Sequence, residues 1–249
     1  MTNQSSDQSS NKNGLRSGEP NQPATPTPAI AELPIPLDEL RQKLTVPLLC
    51  DALDEAGYRN QSPCLPIRPL TTEGTLLIGR AKTTAWEDLN YEDPNPYELE
   101  LEAIDSCQPD DVIVCAANGS MRSGVWGELL SGAAMNRGCC GVLVDGAVRD
   151  RHKMREMNFA VHGRGTSPYD SRNRQRVVRY DVPINLGGVD VHPGDIVAAD
   201  DDGIVIVPQA MQSEVILAAW AKANAENEMR IAVQGGMSAT AAYQRFGVL

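Results

Sequence analysis

Aromatic residues are scarce in this chain: Phe, Trp and Tyr together make up 4% of 249 residues. A core of ordinary size must therefore be mostly aliphatic. No run of 18 apolar residues occurs, so no transmembrane helix is expected. The N-terminus lacks the apolar stretch of a secretory signal. Six cysteines are present, at 50, 64, 107, 115, 139 and 140, but none forms a CxxC pair. In a chain this long that argues against a disulfide framework and for a reduced, cytoplasmic setting. Neither GxGxxG after a strand nor GxxxxGK[ST] is found, so nucleotide cofactors are not indicated. Basic charge is also in deficit. The formal net charge is −11, and the field of the whole chain would repel a polyanion. Neither a nucleic acid nor a membrane is expected as a partner. A small anionic substrate would need a local cluster of donors or a metal.

What is present divides unevenly. Residues 1–33 are rich in Ser, Asn, Gln, Pro and Thr, a composition that cannot bury enough apolar surface to order itself. They read as a disordered tail before one domain over 34–249. PLDELRQKL predicts a short helix. TVPLLCDALDEAG predicts a second, with Thr45 as N-cap and Gly57 as stop. GTLLIGRAKTTAW has a strand pattern, and Asn95 to Ser106 suits a helix. QPDDVIVCAA and HPGDIVAADDDGIVIVP each place Pro and Asp before a β-branched run, a tight turn feeding a buried strand. Between them GVWGELLSGAAMNRG predicts a helix opening near Gly127. GVLVDGAVRD predicts a strand, a turn at Asp145-Gly146 and a return. YDSRNRQRVVRYD reads as basic and irregular, VPINLGGVDV as strand-like, and Gln209 to about Gln234 as a long helix with a short capping helix after it.

Two places suit chemistry. If a helix opens at Gly127-Glu128-Leu129-Leu130, its first N–H groups lack internal partners and sit at the positive end of the dipole. That suits a carboxylate or phosphate, and Gly124 and Gly127 permit close approach. The same pattern also suits an ordinary helix start. Arg149-Asp150 follows a buried strand, where loops gather at a sheet edge. Arg can fork onto a carboxylate or polarise a carbonyl oxygen, and Asp can ligate a hard cation. The same pair also reads as a surface salt bridge.

Taken together these residues spell Gly124-x3-Glu128-x20-Arg149-Asp150. With CDALDEAG, RGCCGVLVDGAVRD, GGVDVHPGDIVAADDDGIVIVP and the ending GGMSATAAYQRFGVL, the chain resembles the RraA-like family over about residues 38–249. That family includes the 4-hydroxy-4-methyl-2-oxoglutarate/4-carboxy-4-hydroxy-2-oxoadipate aldolases. The resemblance implies an α/β domain with a swivelling β/β/α core, assembled as a homotrimer or hexamer. It implies a Mg2+- or Mn2+-dependent lyase that cleaves a 4-hydroxy-2-oxo acid to pyruvate and a carbonyl product through a metal-stabilised enolate. Oxaloacetate decarboxylation would pass through the same enolate. Asp150 would ligate the metal directly. Glu128 would hold metal-bound waters, as would Glu226 of a neighbouring subunit, with Glu228 the second match. Arg149 would contact the keto oxygen, and Gly127 to Leu130 would bind the carboxylate. Only five lysines occur and none lies in the signature, which agrees with chemistry that needs no Schiff base. Position 128 is Glu where the aldolases carry Asp. A non-catalytic role, binding ribonuclease E, is the alternative within the same family, as is an enzyme acting on another hydroxy or oxo acid.

Other residues point to less. His152, His162 and His192 share no metal-binding spacing and read as structural or surface groups. Asp200 to Gly203 reads as a hairpin turn rather than a calcium loop. Cys139 and Cys140, at a strand entry, read as small hydrophobes. Arg172, Arg174, Arg176 and Arg179 read as a solvated or interface loop, or as part of a larger pocket for an anionic substrate.

Overall fold

The computed structural model describes residues 32–248, so the expected tail over 1–33 lies, but for its last two residues, outside the described part. The elements run α1 (Leu37–Lys43), α2 (Val46–Glu55), β1 (Arg68–Pro69), β2 (Leu77–Asp88), α3 (Glu98–Asp105), β3 (Asp111–Ala116), β4 (Gly124–Trp126), α4 (Glu128–Asn136), β5 (Gly141–Val148) and α5 (Arg151–Glu156). There follow β6 (Ala160–Thr166), β7 (Gln175–Tyr180), β8 (Ile184–Leu186), β9 (Val189–Val191), β10 (Ile196–Ala199), β11 (Ile204–Val207), α6 (Gln212–Gln234) and α7 (Ala239–Phe246). The main sheet has the order β1-β6-β5-β3-β2-β10-β11, with β4 added on β5 and β7 on β2. Strands β2, β3, β5 and β6 pair in parallel, and β10 closes on β2 antiparallel.

Every residue of β3 and β5 is buried, as parallel strands covered on both faces require. Alternation sends Ile113, Cys115, Val142 and Val144 into one apolar layer with Trp126, Ala134, Met154 and Phe159. Val112, Val114 and Leu143 go the other way, under the small β8–β9 hairpin. A third layer packs α1, α2 and α6 on Ile78, Ile196, Ala198, Val205 and Val207. Thr45 does cap α2, its Oγ1 accepting from the Leu48 N–H at 3.5 Å, and Gly57 ends the segment at φ 86°.

The two Pro–Asp segments share one turn. The Gln108 N–H donates to Asp111 Oδ2 at 2.8 Å, and the His192 N–H donates to Asp195 Oδ2 at 2.7 Å. The residue before each aspartate is left-handed, Asp110 at φ 67° and Gly194 at φ 86°. The strands that follow, β3 and β10, flank β2 on its two sides.

Three expectations are corrected. Asp145-Gly146 is not a turn: β5 runs unbroken from Gly141 to Val148. The Asp145 carboxylate is buried against Arg164, which lets a charged residue sit inside the strand. The register against β6 slips between Val144 and Ala147 and absorbs the irregularity. The basic stretch is not wholly irregular either, because Gln175–Tyr180 forms β7 against β2. Buried Gln175 and Val177 alternate there with partly exposed arginine and valine. α3 also starts later than expected, at Glu98, because Tyr97 is left-handed at φ 73°.

Candidate active site

Strand β4 ends at Trp126, whose indole stacks on Phe159 with centroids 6.5 Å apart. The Trp126 Nε1–H donates to Ser131 Oγ at 2.8 Å, and that hydroxyl donates to the Gly127 carbonyl at 3.0 Å. These bonds fix where α4 begins. Gly127 is its N-cap and supplies no capping side chain, so the first-turn N–H groups have no intrahelical acceptor.

Across from this terminus, β5 delivers Arg149 and Asp150. The Arg149 N–H bonds the Trp126 carbonyl at 2.8 Å and ties the two segments together. Asp150 is left-handed at φ 57°, an uncommon conformation for a non-glycine residue. It also opens α5, where the Met154 N–H bonds its carbonyl at 3.2 Å. The glycines of the signature are explained by contact distances. A Cβ on Gly124 would fall 2.7 Å from Arg149 Cβ and 2.8 Å from its backbone nitrogen. A Cβ on Gly127 would fall 2.9 Å from Asp150 Oδ2.

A cavity of about 340 Å³ lies between them. It is lined by Gly127, Leu129, Leu130, Arg149 and Asp150, with Tyr97, Glu100 and Asp170 opposite. The structure thus brings together the sequence-predicted Arg149, Asp150 and helix start. Glu128 stands beside the cavity rather than in its lining, with Oε2 3.6 Å from Lys153 Nζ. A lysine outside the signature therefore reaches it. Glu226 lies on α6 near Lys222, whose ammonium is held above its ordinary range by Asp51 first and more weakly by Glu226. Glu226 does not line the cavity of its own chain.

Sequence reasoning missed Tyr97, Glu100 and Asp170. Asp170 Oδ2 accepts from Arg149 Nη1 at 2.8 Å, and Oδ1 accepts from the Tyr97 hydroxyl at 2.7 Å and the Arg172 N–H at 2.9 Å. Burial opposes its ionisation, but these donors outweigh it and hold the carboxyl below the usual range. The bond to the Arg172 N–H is an Asx turn, and Asp followed by Ser-Arg-Asn was its one legible signal. Tyr97 is pushed up to about 12, by burial first and then by the hydrogen bond to Asp170. Glu100 is 7% exposed and makes no hydrogen bond or ion pair among the described residues. Burial first, then the charge of Asp170, raises it to about 8, partly offset by Arg149.

The residues fit a hard divalent cation. Asp150 offers a carboxylate oxygen, which approaches Gly127 so closely that a Cβ there would fall 2.9 Å from it. Among the described residues no group of three His, Cys, Asp or Glu is placed to hold a metal. A divalent cation held by so few protein oxygens would keep several of its waters.

The other candidates settle as follows. Cys139 is buried, its thiol raised by a hydrogen bond to Cys107 and by burial, and burial pushes Cys140 up to about 11. Neither offers a thiolate. Asp200 organises the β10–β11 hairpin, accepting from the Asp202 N–H at 3.0 Å and from the Val46 N–H at 2.8 Å. His152 is exposed, and His162 is buried with neither ring nitrogen hydrogen-bonded.

Fold and cavity together define an α/β domain with a cavity where a parallel strand ends beside a helix N-terminus. The RraA-like family profile (Aldolase/RraA) matches residues 46–206. A Halalkalibacterium halodurans protein named "Putative 4-hydroxy-4-methyl-2-oxoglutarate aldolase" is 31% identical over 212 residues, covering 83% of this chain and 94% of that protein. A solved structure from Pseudomonas syringae pv. tomato, described as uncharacterized, superposes with a TM-score of 0.72 at 30% identity, over 83% of this chain and 95% of the other. Streptomyces coelicolor RraAS2, described as an unusual member of the RNase ES inhibitor RraA protein family, superposes with a TM-score of 0.69 at 30% identity, over 81% and 99%. The chain belongs to the RraA-like family. No described helix is long and apolar enough to cross a membrane.

Proposed function

We propose that this protein is a divalent-metal-dependent carbon–carbon lyase. On this reading it cleaves a 4-hydroxy-2-oxo acid of the 4-hydroxy-4-methyl-2-oxoglutarate type to pyruvate and a carbonyl product, and decarboxylates oxaloacetate at the same site. The observation that carries the reading is Arg149 and Asp150 facing the uncapped start of α4 across one cavity. The name of the Halalkalibacterium relative supports it.

Asp150 would hold the cation, with Glu128 and Glu226 of a neighbouring copy reaching it through water in a homotrimer or hexamer. When bound, the cation supplies Lewis acidity toward the substrate's keto and carboxylate oxygens. The N–H groups of the first turn of α4 bind the carboxylate of the pyruvyl unit. Arg149 donates to the keto oxygen, where negative charge develops as the C3–C4 bond breaks. Asp170 holds that guanidinium in place with a charge-assisted bond, and Tyr97 and the Arg172 N–H hold Asp170. The apolar wall made by Val125 and Leu130 limits water on that side of the cavity.

The test is pyruvate release from 4-hydroxy-4-methyl-2-oxoglutarate and from oxaloacetate, with Mg2+ and then with EDTA. Full activity after chelation, or in Asp150→Ala, would sink the metal dependence. A second reading, inhibition of a ribonuclease, draws on the likeness to RraAS2. Tight ribonuclease binding with no turnover of either acid would favour it.

A further inference from the structure

Three carboxyl groups line the cavity, and two are already engaged. Asp170 accepts from Arg149, Tyr97 and the Arg172 backbone. Asp150 lies 3.6 Å from Arg149 Nε through Oδ2 and faces the space left by Gly127. Glu100, in the first turn of α3, is buried, lines the same cavity, and has no hydrogen-bond or ion-pair partner among the described residues. A carboxylate so placed would lack the donors that offset desolvation, so the group is held as the neutral acid. Among the described residues it is the cavity carboxyl that has no partner.

The proposed cleavage needs such a group. When the C4 hydroxyl gives its proton to water and the C3–C4 bond breaks, C4 becomes the carbonyl of the second product and the bond's electron pair remains on the pyruvyl fragment as an enolate. Pyruvate forms only when C3 takes up a proton. The other polar groups of the cavity are poorly suited to give it. The Arg149 guanidinium does not deprotonate in proteins. The Tyr97 hydroxyl donates to Asp170 and is pushed up to about 12. We propose that the Glu100 carboxylic acid delivers the proton to C3 of the enolate, completing the methyl group of pyruvate. The enolate's C2–C3 π pair forms the new C–H bond, the keto group reforms at C2, and Glu100 is left as a carboxylate. Water restores its proton before the next turnover. In reverse, the Glu100 carboxylate removes a methyl proton from bound pyruvate. This role rests on the reading of the cavity as a pyruvyl site.

The experiment is exchange of the pyruvate methyl protons in D2O with Mg2+, followed by proton NMR, beside pyruvate release from oxaloacetate. Wild type should do both. Glu100→Gln should slow methyl exchange by ~10²-fold or more, as loss of a positioned acid does, while KM for pyruvate stays within about twofold. Glu100→Asp should recover part of the exchange, and the melting temperature of each variant shows that it folds. Glu100→Gln exchanging at the wild-type rate overturns the role of Glu100 and leaves the lyase reading intact. A wild-type protein that neither releases pyruvate nor exchanges its methyl protons overturns both.

Discussion

Gly127→Ala and Gly124→Ala should separate activity from stability. Both glycines abut the Arg149-Asp150 pair, but they meet different atoms. A Cβ at 127 would approach Asp150 Oδ2 to 2.9 Å and Arg149 Cγ to 3.1 Å, both side-chain atoms able to move. Gly127 has φ −155°, which alanine adopts freely, so backbone strain adds nothing. Relief takes about half an ångström of carboxylate movement, at a stability cost of roughly 1 kcal/mol or less. A shift of that size in the group that would hold the cation should lower kcat/KM about 10-fold or more, since 1 Å of misplacement costs on the order of 10²-fold. At 124 the Cβ would meet the Arg149 backbone nitrogen at 2.8 Å and the Val148 carbonyl carbon at 2.9 Å. Those atoms belong to the joined β4 and β5, so the backbone must part, at about 1–3 kcal/mol, and activity should fall as well. Gly132→Ala, on the same helix as the Gly127 cap, is the control. Its nearest neighbour would be Met157 Cε at 3.7 Å, so a gain of about 0.4–1 kcal/mol is expected. Urea unfolding and a coupled pyruvate assay read all three. Full activity in Gly127→Ala, or wild-type stability in Gly124→Ala, would falsify the account of the signature glycines.

Asp170→Asn leaves one acceptor oxygen where Asp170 uses two, so it cannot hold Arg149 and the Tyr97–Arg172 pair together, and it removes the charge that orients Arg149; kcat/KM should fall roughly 10-fold or more. An unchanged kcat/KM would release Asp170 from that role. The buried His162 sits at about 4, lowered by desolvation, so the fold binds fewer protons than the unfolded chain below pH 6.5. Its contribution is whole above about pH 6.5 and lost as pH falls toward 4, by up to about 3 kcal/mol. Acid unfolding of His162→Leu should lack that part of the slope. Glu100 has the opposite sign. Its pKa is raised, so its stabilising contribution is whole below about pH 4.5 and is lost as pH rises through about 8. Chelator-treated Glu100→Gln should therefore lose less stability across that range than wild type, and equal losses would show that Glu100 is not buried as an acid.

What the sequence made legible was local. Thr45, Gly57, the Pro–Asp turns and Gly127 each act through chain neighbours, and each performs the turn or cap its residue type suggests. Arg149 and Asp150 were found because their spacing from Gly124 spans one helix and one strand. Asp145-Gly146 misled for a non-local reason: its turn chemistry is overridden by Arg164, which comes from β6, a strand further along the chain. Tyr97 and Glu100 escaped because α3 meets the site through α4 and β7, which lie further along the chain. YELELEAI reads as a charged helix, and nothing in its spacing marks Glu100 as the one acid of the three turned inward.

The charges lining the cavity bear on the metal independently of any signature. Arg149 supplies one positive charge, while Asp150 and Asp170 supply two negative ones, and burial keeps Glu100 neutral near pH 7. The lining is then net negative by one, inside a chain of formal net charge −11. Such a cavity repels the anionic acid that the start of α4 is shaped to hold, and the partial charge of a helix terminus, about half a unit, does not reverse the sign. Two positive charges beside Asp150 do reverse it. Pyruvate should therefore bind appreciably only with Mg2+ present, and Mg2+ more tightly with pyruvate present, by the same factor. Isothermal titration of pyruvate into protein with Mg2+ and with EDTA measures that factor. A factor near one would mean that Arg149 and the helix terminus suffice for binding, and the electrostatic case for the cation would fail.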